Sequence, residues 1–290
     1  MKTKSQKLSL SSYTRDFIKP VWCPGCGDYA VLAALKKSFL ALEINPENIV
    51  CVSGIGCSGR FSHYLDVYSL HGTHGRAVPT AIGAKTARPD LTVVAVGGDG
   101  DGLGIGGGHI VHAARKNVDI TYLLMDNSIY GLTKGQTSPT TPENFKTKTS
   151  PYGAYEDTIH PIPIFLSYDV SFLARTTAVD VKGLTNIVTK AIEHKGMSIV
   201  YILSPCMTFP LLQRDNLKEM VKPLPEDYTA DNKMEALEYA YNEDHVYTGI
   251  FYQIQKPTLE DRLQVQIEKA CRGEEVTGTM TSKEVLEGFA

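Results

Sequence analysis

Short apolar runs recur along the chain: IVCVSG at 49–54, LTVVAVGG at 91–98, ITYLLMD at 120–126 and SIVYILS at 198–204. Each is rich in β-branched residues and nearly free of polar positions, as strands buried on both faces of a sheet are. Between the runs the spacing turns helical. Val31, Ala34, Leu35, Phe39 and Leu42 recur at helical intervals, as do Leu184, Ile187, Val188, Ala191 and Ile192. Strands alternating with helices predict an α/β fold, a parallel sheet with helices on both faces. Residues 138–163, rich in proline and tyrosine, read as a long ordered loop, and loops of that length serve as lids or binding segments. Beyond Pro223 the pattern loosens, with one more helix expected over 259–272. The expected organisation is a domain over 1–222 and an extension over 223–290 that covers the domain or a subunit partner.

Charge sharpens that division. Residues 211–290 hold 16 acidic and 9 basic side chains, leaving 16 and 20 for residues 1–210, so a front part at +4 precedes a tail at −7. No basic stripe with interleaved aromatics is present, and nucleic-acid binding is not expected. No apolar run reaches the roughly 18 residues of a membrane span, and MKTKSQKLSLSS lacks a signal-like stretch. The expected location is the cytoplasm, where clustered cysteines point to metal or catalysis rather than disulfides.

The run at 91–98 opens into GGDGDGLGIGGG and then a helical pattern. Such a glycine-rich turn cradles phosphate, because its N–H groups can approach an anion at a helix N-terminus. Gly102-x-Gly104-x-x-Gly107 also matches a dinucleotide fingerprint, but Asp99 and Asp101 would repel a bare pyrophosphate. A divalent cation between them removes the conflict. A second half for that cation site lies 28 residues on, at Asn127 in MDNSIYGLT, about one crossover helix and one strand away. Asp99, the Asn127 side chain and the carbonyl of Ile129 offer hard oxygen ligands suited to Mg²⁺. GDG followed by Asn at this interval is the thiamine-diphosphate pattern.

Six cysteines remain to be placed. Cys51 falls inside a strand and Cys271 in a charged helical stretch, and these read as a core residue and a surface thiol. Cys23 and Cys26 in WCPGCGDY, Cys57 in GIGCSGR and Cys206 in SPC lie in loops. Two of these loops follow strands, which puts them at the ligand-binding end of the sheet. Four thiolates suit either zinc or a [4Fe-4S] cluster, and a C-x-x-C pair alone also suits a redox dithiol. A thiamine enzyme that oxidises without flavin or lipoyl group needs an electron sink, and the cluster answers that need.

WCPGCGDY, GIGCSGR, HGTHGR, GGDGDG, MDNSIYGLTKGQTSPT and SPC together resemble the β subunit of 2-oxoacid:ferredoxin oxidoreductases over roughly residues 18–210. The resemblance implies a thiamine-diphosphate-binding fold, a [4Fe-4S] cluster on Cys23, Cys26, Cys57 and Cys206, and Mg²⁺ on Asp99, Asn127 and Ile129. It places Ile55, Gly56, Cys57, Ser58, His74, Gly98, Gly100, Asp101, Gly131, Leu132 and Thr133 at the thiamine cofactor. It further implies coenzyme A-dependent oxidative decarboxylation of a 2-oxo acid, with electrons passed singly to ferredoxin. YGLTKGQ resembles the 2-oxoglutarate and broad-specificity members rather than the pyruvate-selective ones, and Lys134 within it meets a distal carboxylate or coenzyme A phosphates. No acidic residue stands out to activate the thiamine ring; in the family an α subunit supplies that carboxylate with the pyrimidine-binding domain. Competing classes are a non-redox decarboxylase or carboligase, which needs no cysteines, and an electron-transfer subunit, which needs neither Asp99 nor Asn127. A nicotinamide dehydrogenase rests on the glycine spacing alone.

Overall fold

The four expected strands are neighbours. In the computed structural model, which describes residues 7–272, they form the contiguous centre of an eight-stranded sheet. The strands are β1 (Ile49–Ser53), β2 (Tyr68–His71), β3 (Thr92–Gly98), β4 (Thr121–Asp126), β5 (Ile129–Tyr130), β6 (Gln136–Thr137), β7 (Phe172–Thr177), β8 (Ser198–Leu203), β9 (Val221–Pro223) and β10 (Val246–Gln253). Their order in the large sheet is β2-β1-β3-β4-β8-β7-β10-β9, while β5 and β6 form a separate small hairpin. Every pairing in the large sheet is parallel except β10 with β7.

Side-chain alternation divides each central strand between two cores. Ile49, Cys51, Val94, Val96, Leu123, Met125, Val200 and Ile202 face one way, against α1 (Asp28–Ala41) and, later in the chain, the helix at Val181–Glu193. Val50, Val52, Val93, Ala95, Tyr122, Leu124, Ile199 and Tyr201 face the other way. After the short α2 (Phe61–Tyr64), that second face is covered by α3 (Ala77–Ala87), α4 (Gly107–Lys116) and α5 (Pro161–Ser167). The helix at Val181–Glu193 is α6, and Asp180 caps it by accepting the Gly183 N–H at 3.0 Å. Segment 138–160 carries no regular element, so the expected long loop ends three residues earlier than 163, where the prolines at 161 and 163 open α5.

After β8 come α7 (Arg214–Met220), α8 (Lys233–Ala240) and α9 (Leu259–Cys271). The extension joins the sheet: β10 pairs with β7, and β9, which spans the expected boundary at 222, pairs with β10. The expected helix near the end is α9, closed at its start by a Thr258–Asp261 capping box. The last part of the acidic tail, 273–290, lies outside the described residues. Among the described residues no helix is long and apolar enough to cross a membrane.

Candidate functional site

β1, β3, β4 and β8 run parallel, so their carboxyl ends share one rim, and each is followed there by a motif singled out in the sequence: 54–59, 99–106, 127–131 and 204–206. The chain leaves β1 for β2 on one side while β3 lies on the other. That reversal is the switch point at which open α/β sheets bind ligands.

Asp101 fastens three loops at this point. Its Oδ1 accepts the Ile55 N–H at 2.9 Å, the Gly75 N–H at 2.8 Å and His74 Nδ1–H at 2.7 Å. Its Oδ2 is buried and has no partner among the described residues. The approach is close enough that a Cβ on Gly54 would stand 1.9 Å from that oxygen. Two residues on, Gly56 is left-handed at φ 105° and borders open space, a backbone that a ligand can reach closely. Ser58 lies against Gly98, and Tyr130 donates its hydroxyl to the Gly100 carbonyl at 2.9 Å. The structure thus gathers Ile55, Gly56, Ser58, His74, Gly98, Gly100 and Asp101 round one crevice.

The pairing of Gly98 with Met125 brings the ends of β3 and β4 together, so Asp99 and Asn127 leave adjacent strands side by side. Asp99 is 3% exposed and Asp126 1%. The Thr140 hydroxyl stands 3.0 Å from Asp99 Oδ2 and 2.8 Å from Asp126 Oδ1. Asp126 also accepts the Ser128 N–H at 2.6 Å and the Tyr201 hydroxyl. Burial, and then the neighbouring Asp126 charge, push the Asp99 carboxyl up to about 8; burial raises Asp126 as well. One hydroxyl proton cannot serve both carboxylates, so like charge is crowded round Thr140. A hard divalent cation on Asp99 relieves that repulsion, and the donor set fits one. Asn127 Oδ1 accepts the Ile129 N–H at 3.1 Å, and the Ile129 carbonyl accepts the Gly131 N–H at 2.9 Å. Each oxygen keeps a lone pair for a further partner.

The four loop cysteines come together where three segments are tied to one another. Trp22 is buried and donates Nε1–H to the Cys57 carbonyl at 2.8 Å, while the Gly27 N–H donates to the Pro205 carbonyl at 3.1 Å. Cys23 Sγ is 3.2 Å from the Thr208 hydroxyl. The thiols feel one another's charge. Burial and then the Asp28 carboxylate push Cys57 up to about 11, with Cys206 and Cys23 adding to the rise. Cys26 is raised further still by burial, Asp28, Cys57 and Cys206. Cys23 is exposed and the other three are half-buried, and thiols whose ionisation is opposed by one another fit a cationic iron–sulfur core, which favours thiolates. Among the described residues no three His, Cys, Asp or Glu side chains close into a cage for a single ion. Cys51 is fully buried in β1, burial raising its thiol to about 12, and Cys271 is exposed on α9.

Leu132, Thr133 and Lys134 are exposed on the turn that joins β5 to β6. Thr133 is hydrogen-bonded to Gln136, and Lys134 borders a separate cavity of about 340 Å³ whose wall also includes Ile129. Asp126, Thr140, Tyr201, Trp22 and Asp28 were not singled out in the sequence. Asp126, Trp22 and Asp28 lie inside the motifs quoted above and were within reach of a wider reading. Thr140 has no local signal, because its contact with Asp99 spans 41 positions.

Known proteins are similar to this chain. The family model described as thiamine pyrophosphate enzyme, C-terminal TPP binding domain, matches residues 54–202, and the C-terminal model of the pyruvate ferredoxin oxidoreductase beta subunit matches 206–268. The chain is 36% identical to the 2-oxoglutarate oxidoreductase subunit KorB of Mycobacterium tuberculosis, over 92% of this chain and 84% of that protein. It is 42% identical to the 2-oxoacid:ferredoxin oxidoreductase subunit beta of Saccharolobus solfataricus, over 80% and 81%. Its fold is similar to that of the 2-oxoglutarate:ferredoxin oxidoreductase from Magnetococcus marinus solved with 2-oxoglutarate, coenzyme A and succinyl-CoA bound. The TM-score is 0.88 at 38% identity, covering 99% of this chain and 97% of that one.

Proposed function

Because the chain belongs to the β subunits of the 2-oxoacid:ferredoxin oxidoreductases, within the thiamine pyrophosphate enzymes, we propose that it binds thiamine diphosphate, Mg²⁺ and one [4Fe-4S] cluster. With an α subunit, in the cytoplasm, it catalyses coenzyme A-dependent oxidative decarboxylation of a 2-oxo acid, 2-oxoglutarate ahead of pyruvate, and passes electrons to ferredoxin. One observation carries this reading: the repelling carboxylates at Asp99 and the repelling thiols at Cys26 and Cys57 lie at one rim of one sheet.

Asp99, Asn127 and the Ile129 carbonyl hold the metal, and Cys23, Cys26, Cys57 and Cys206 hold the cluster. When bound, thiamine diphosphate supplies the electron sink for loss of CO₂ and the cluster the one-electron relay. The chain's own residues bind and position. Ile55, Gly56, Ser58, Gly98, Gly100 and Asp101 shape the diphosphate crevice, with Gly131, Leu132 and Thr133 closing it from the β5–β6 turn. Asp101 holds the His74 ring in place through its Nδ1–H. Lys134 neutralises the distal carboxylate of 2-oxoglutarate. The activating carboxylate belongs to the α partner, which the extension from 223 helps to contact.

The test is ferredoxin reduction by the anaerobically purified αβ assembly. Reduction that depends on 2-oxoglutarate, coenzyme A and both subunits is expected, with pyruvate slower. Lys134→Ala raises KM for 2-oxoglutarate by about 10–100-fold, the value of a hydrogen bond to a charged group. Product formation without ferredoxin, or robust activity of the chain alone, overturns the reading.

A further inference from the structure

A second cavity, of about 230 Å³, opens beneath α5 and α7 against β4, β8 and β7. Asp126 and Thr140 belong to its wall, and Asp99 does not. The buried side chains of Ile162, Leu203 and Leu217 make much of the remainder apolar. One arginine, Arg175 on β7, stands in that wall.

Arg175 is 8% exposed, and a buried charge is costly unless it is paired. The chain pairs it only in part. Of the several N–H donors of the guanidinium, Nε–H goes to the Tyr247 carbonyl at 2.6 Å, and the group lies 5.0 Å from the Phe251 ring. Among the described residues its Nη groups have no acceptor, and no carboxylate forms an ion pair with it. Burial pushes the guanidinium down to about 10, so it is still charged at neutral pH. Asp126 does not neutralise it. That carboxylate is engaged by Tyr201, Thr140 and Ser128. The strand order β4-β8-β7 sets Tyr201, the register partner of Arg175, on the strand between the two charges.

A guanidinium fork beside an apolar wall matches a carboxylate, which accepts two parallel N–H bonds, carried on a hydrocarbon chain. At about 30 Å³ for each water-sized group, the cavity takes a ligand of roughly eight non-hydrogen atoms. We propose that it is a binding site for a short aliphatic monocarboxylate, with the head group on the Arg175 Nη atoms and the chain against Ile162, Leu203 and Leu217. A second carboxylate on the chain would meet apolar side chains and is disfavoured. The cavity shares no wall residue with the one beside Lys134, so its occupancy does not depend on the reaction proposed above.

The test is calorimetry of pentanoate, with pentanamide as its uncharged isostere, on the cofactor-loaded αβ assembly. Pentanoate is expected to bind at one site per β chain and pentanamide at least about tenfold more weakly, the value of hydrogen bonds to a charged group. Arg175→Met keeps the bulk and removes the charge; it should weaken pentanoate at least about tenfold and leave pentanamide unaltered. Arg175→Lys keeps the charge without the fork, should weaken pentanoate by a smaller factor, and serves if the methionine variant does not fold. Lys134→Ala should leave pentanoate binding unaltered, which separates this cavity from the site of the 2-oxo acid. No pentanoate binding, equal affinity for the two probes, binding undiminished in both arginine variants, or binding lost in Lys134→Ala would each overturn the site.

Discussion

The two ends of the central sheet treat buried charge in opposite ways. Asp119 lies just before β4, at the amino end, where Lys85 Nζ stands 2.8 Å from its Oδ2 and also donates to the Leu91 carbonyl at 2.9 Å. The Gly196 N–H donates to Asp119 Oδ1 at 3.1 Å. Burial alone would raise this carboxyl, but Lys85 overcomes it and holds the group below its ordinary range. Asp126 is the last residue of the same strand, and it meets another carboxylate, Asp99, across one hydroxyl. Ser198 and Glu260 each leave an oxygen unpartnered near the amino end, but there the Asp119 carboxylate meets two ammonium groups, Lys85 and Lys195, rather than sharing one hydroxyl with a second carboxylate. One rim is completed by the chain itself; the other is completed by what it binds.

Changes at the carboxyl rim should act on loading before they act on folding. Asp99→Asn is expected to lower Mg²⁺–thiamine diphosphate affinity by more than about 100-fold, above the usual cost of losing a supporting group, as measured by calorimetry. At the amino rim, Lys85→Ala leaves Asp119 only the exposed Lys195, 3.4 Å from its Oδ2, and should cost about 1–3 kcal/mol in urea unfolding, with cofactor affinity retained. The contrast sharpens with one chemical change made at both ends of cofactor-stripped protein. Asp119→Asn should lower unfolding stability by about 1–3 kcal/mol, while Asp99→Asn should raise it by up to about 1 kcal/mol, because it removes a repulsion. Two changes of the same sign would break the comparison.

The pH dependence of Asp119 gives a finer check. Its folded pKa lies below the unfolded value of about 3.9. Its contribution is therefore complete above about pH 4 and is lost as pH falls through the folded value. The stability gap between the parent and Asp119→Asn should narrow only below about pH 4. Cys271→Ser, on the exposed face of α9, should change neither iron content nor stability by a measurable amount.

What could be read in advance follows the same physics. β1, β3, β4 and β8 announced themselves because strands buried on both faces must be apolar throughout. β7 is as deeply buried, but Arg175, Thr176 and Thr177 break its pattern. Arg175 is tolerated because Nε–H donates to the Tyr247 carbonyl at 2.6 Å and its guanidinium stacks 5.0 Å from the Phe251 ring, both supplied by β10. No local window contains that compensation. β2 escaped for another reason, being an exposed edge strand of four residues. At the site, Asp99, Asn127, Cys57 and Cys206 stood out because they follow strand ends, and Cys23 and Cys26 because of their C-x-x-C spacing. Thr140 and Tyr201 were not, since they reach Asp126 across 14 and 75 positions.

The most direct test of a rim completed by bound cofactors is metal content. The αβ assembly, purified without oxygen, is compared with its Cys57→Ser variant for iron, acid-labile sulfide and zinc. A loss of about four irons and four sulfides per β chain in the variant is expected, the content of one [4Fe-4S] cluster. Unchanged iron, or zinc lost in place of iron, would contradict the account.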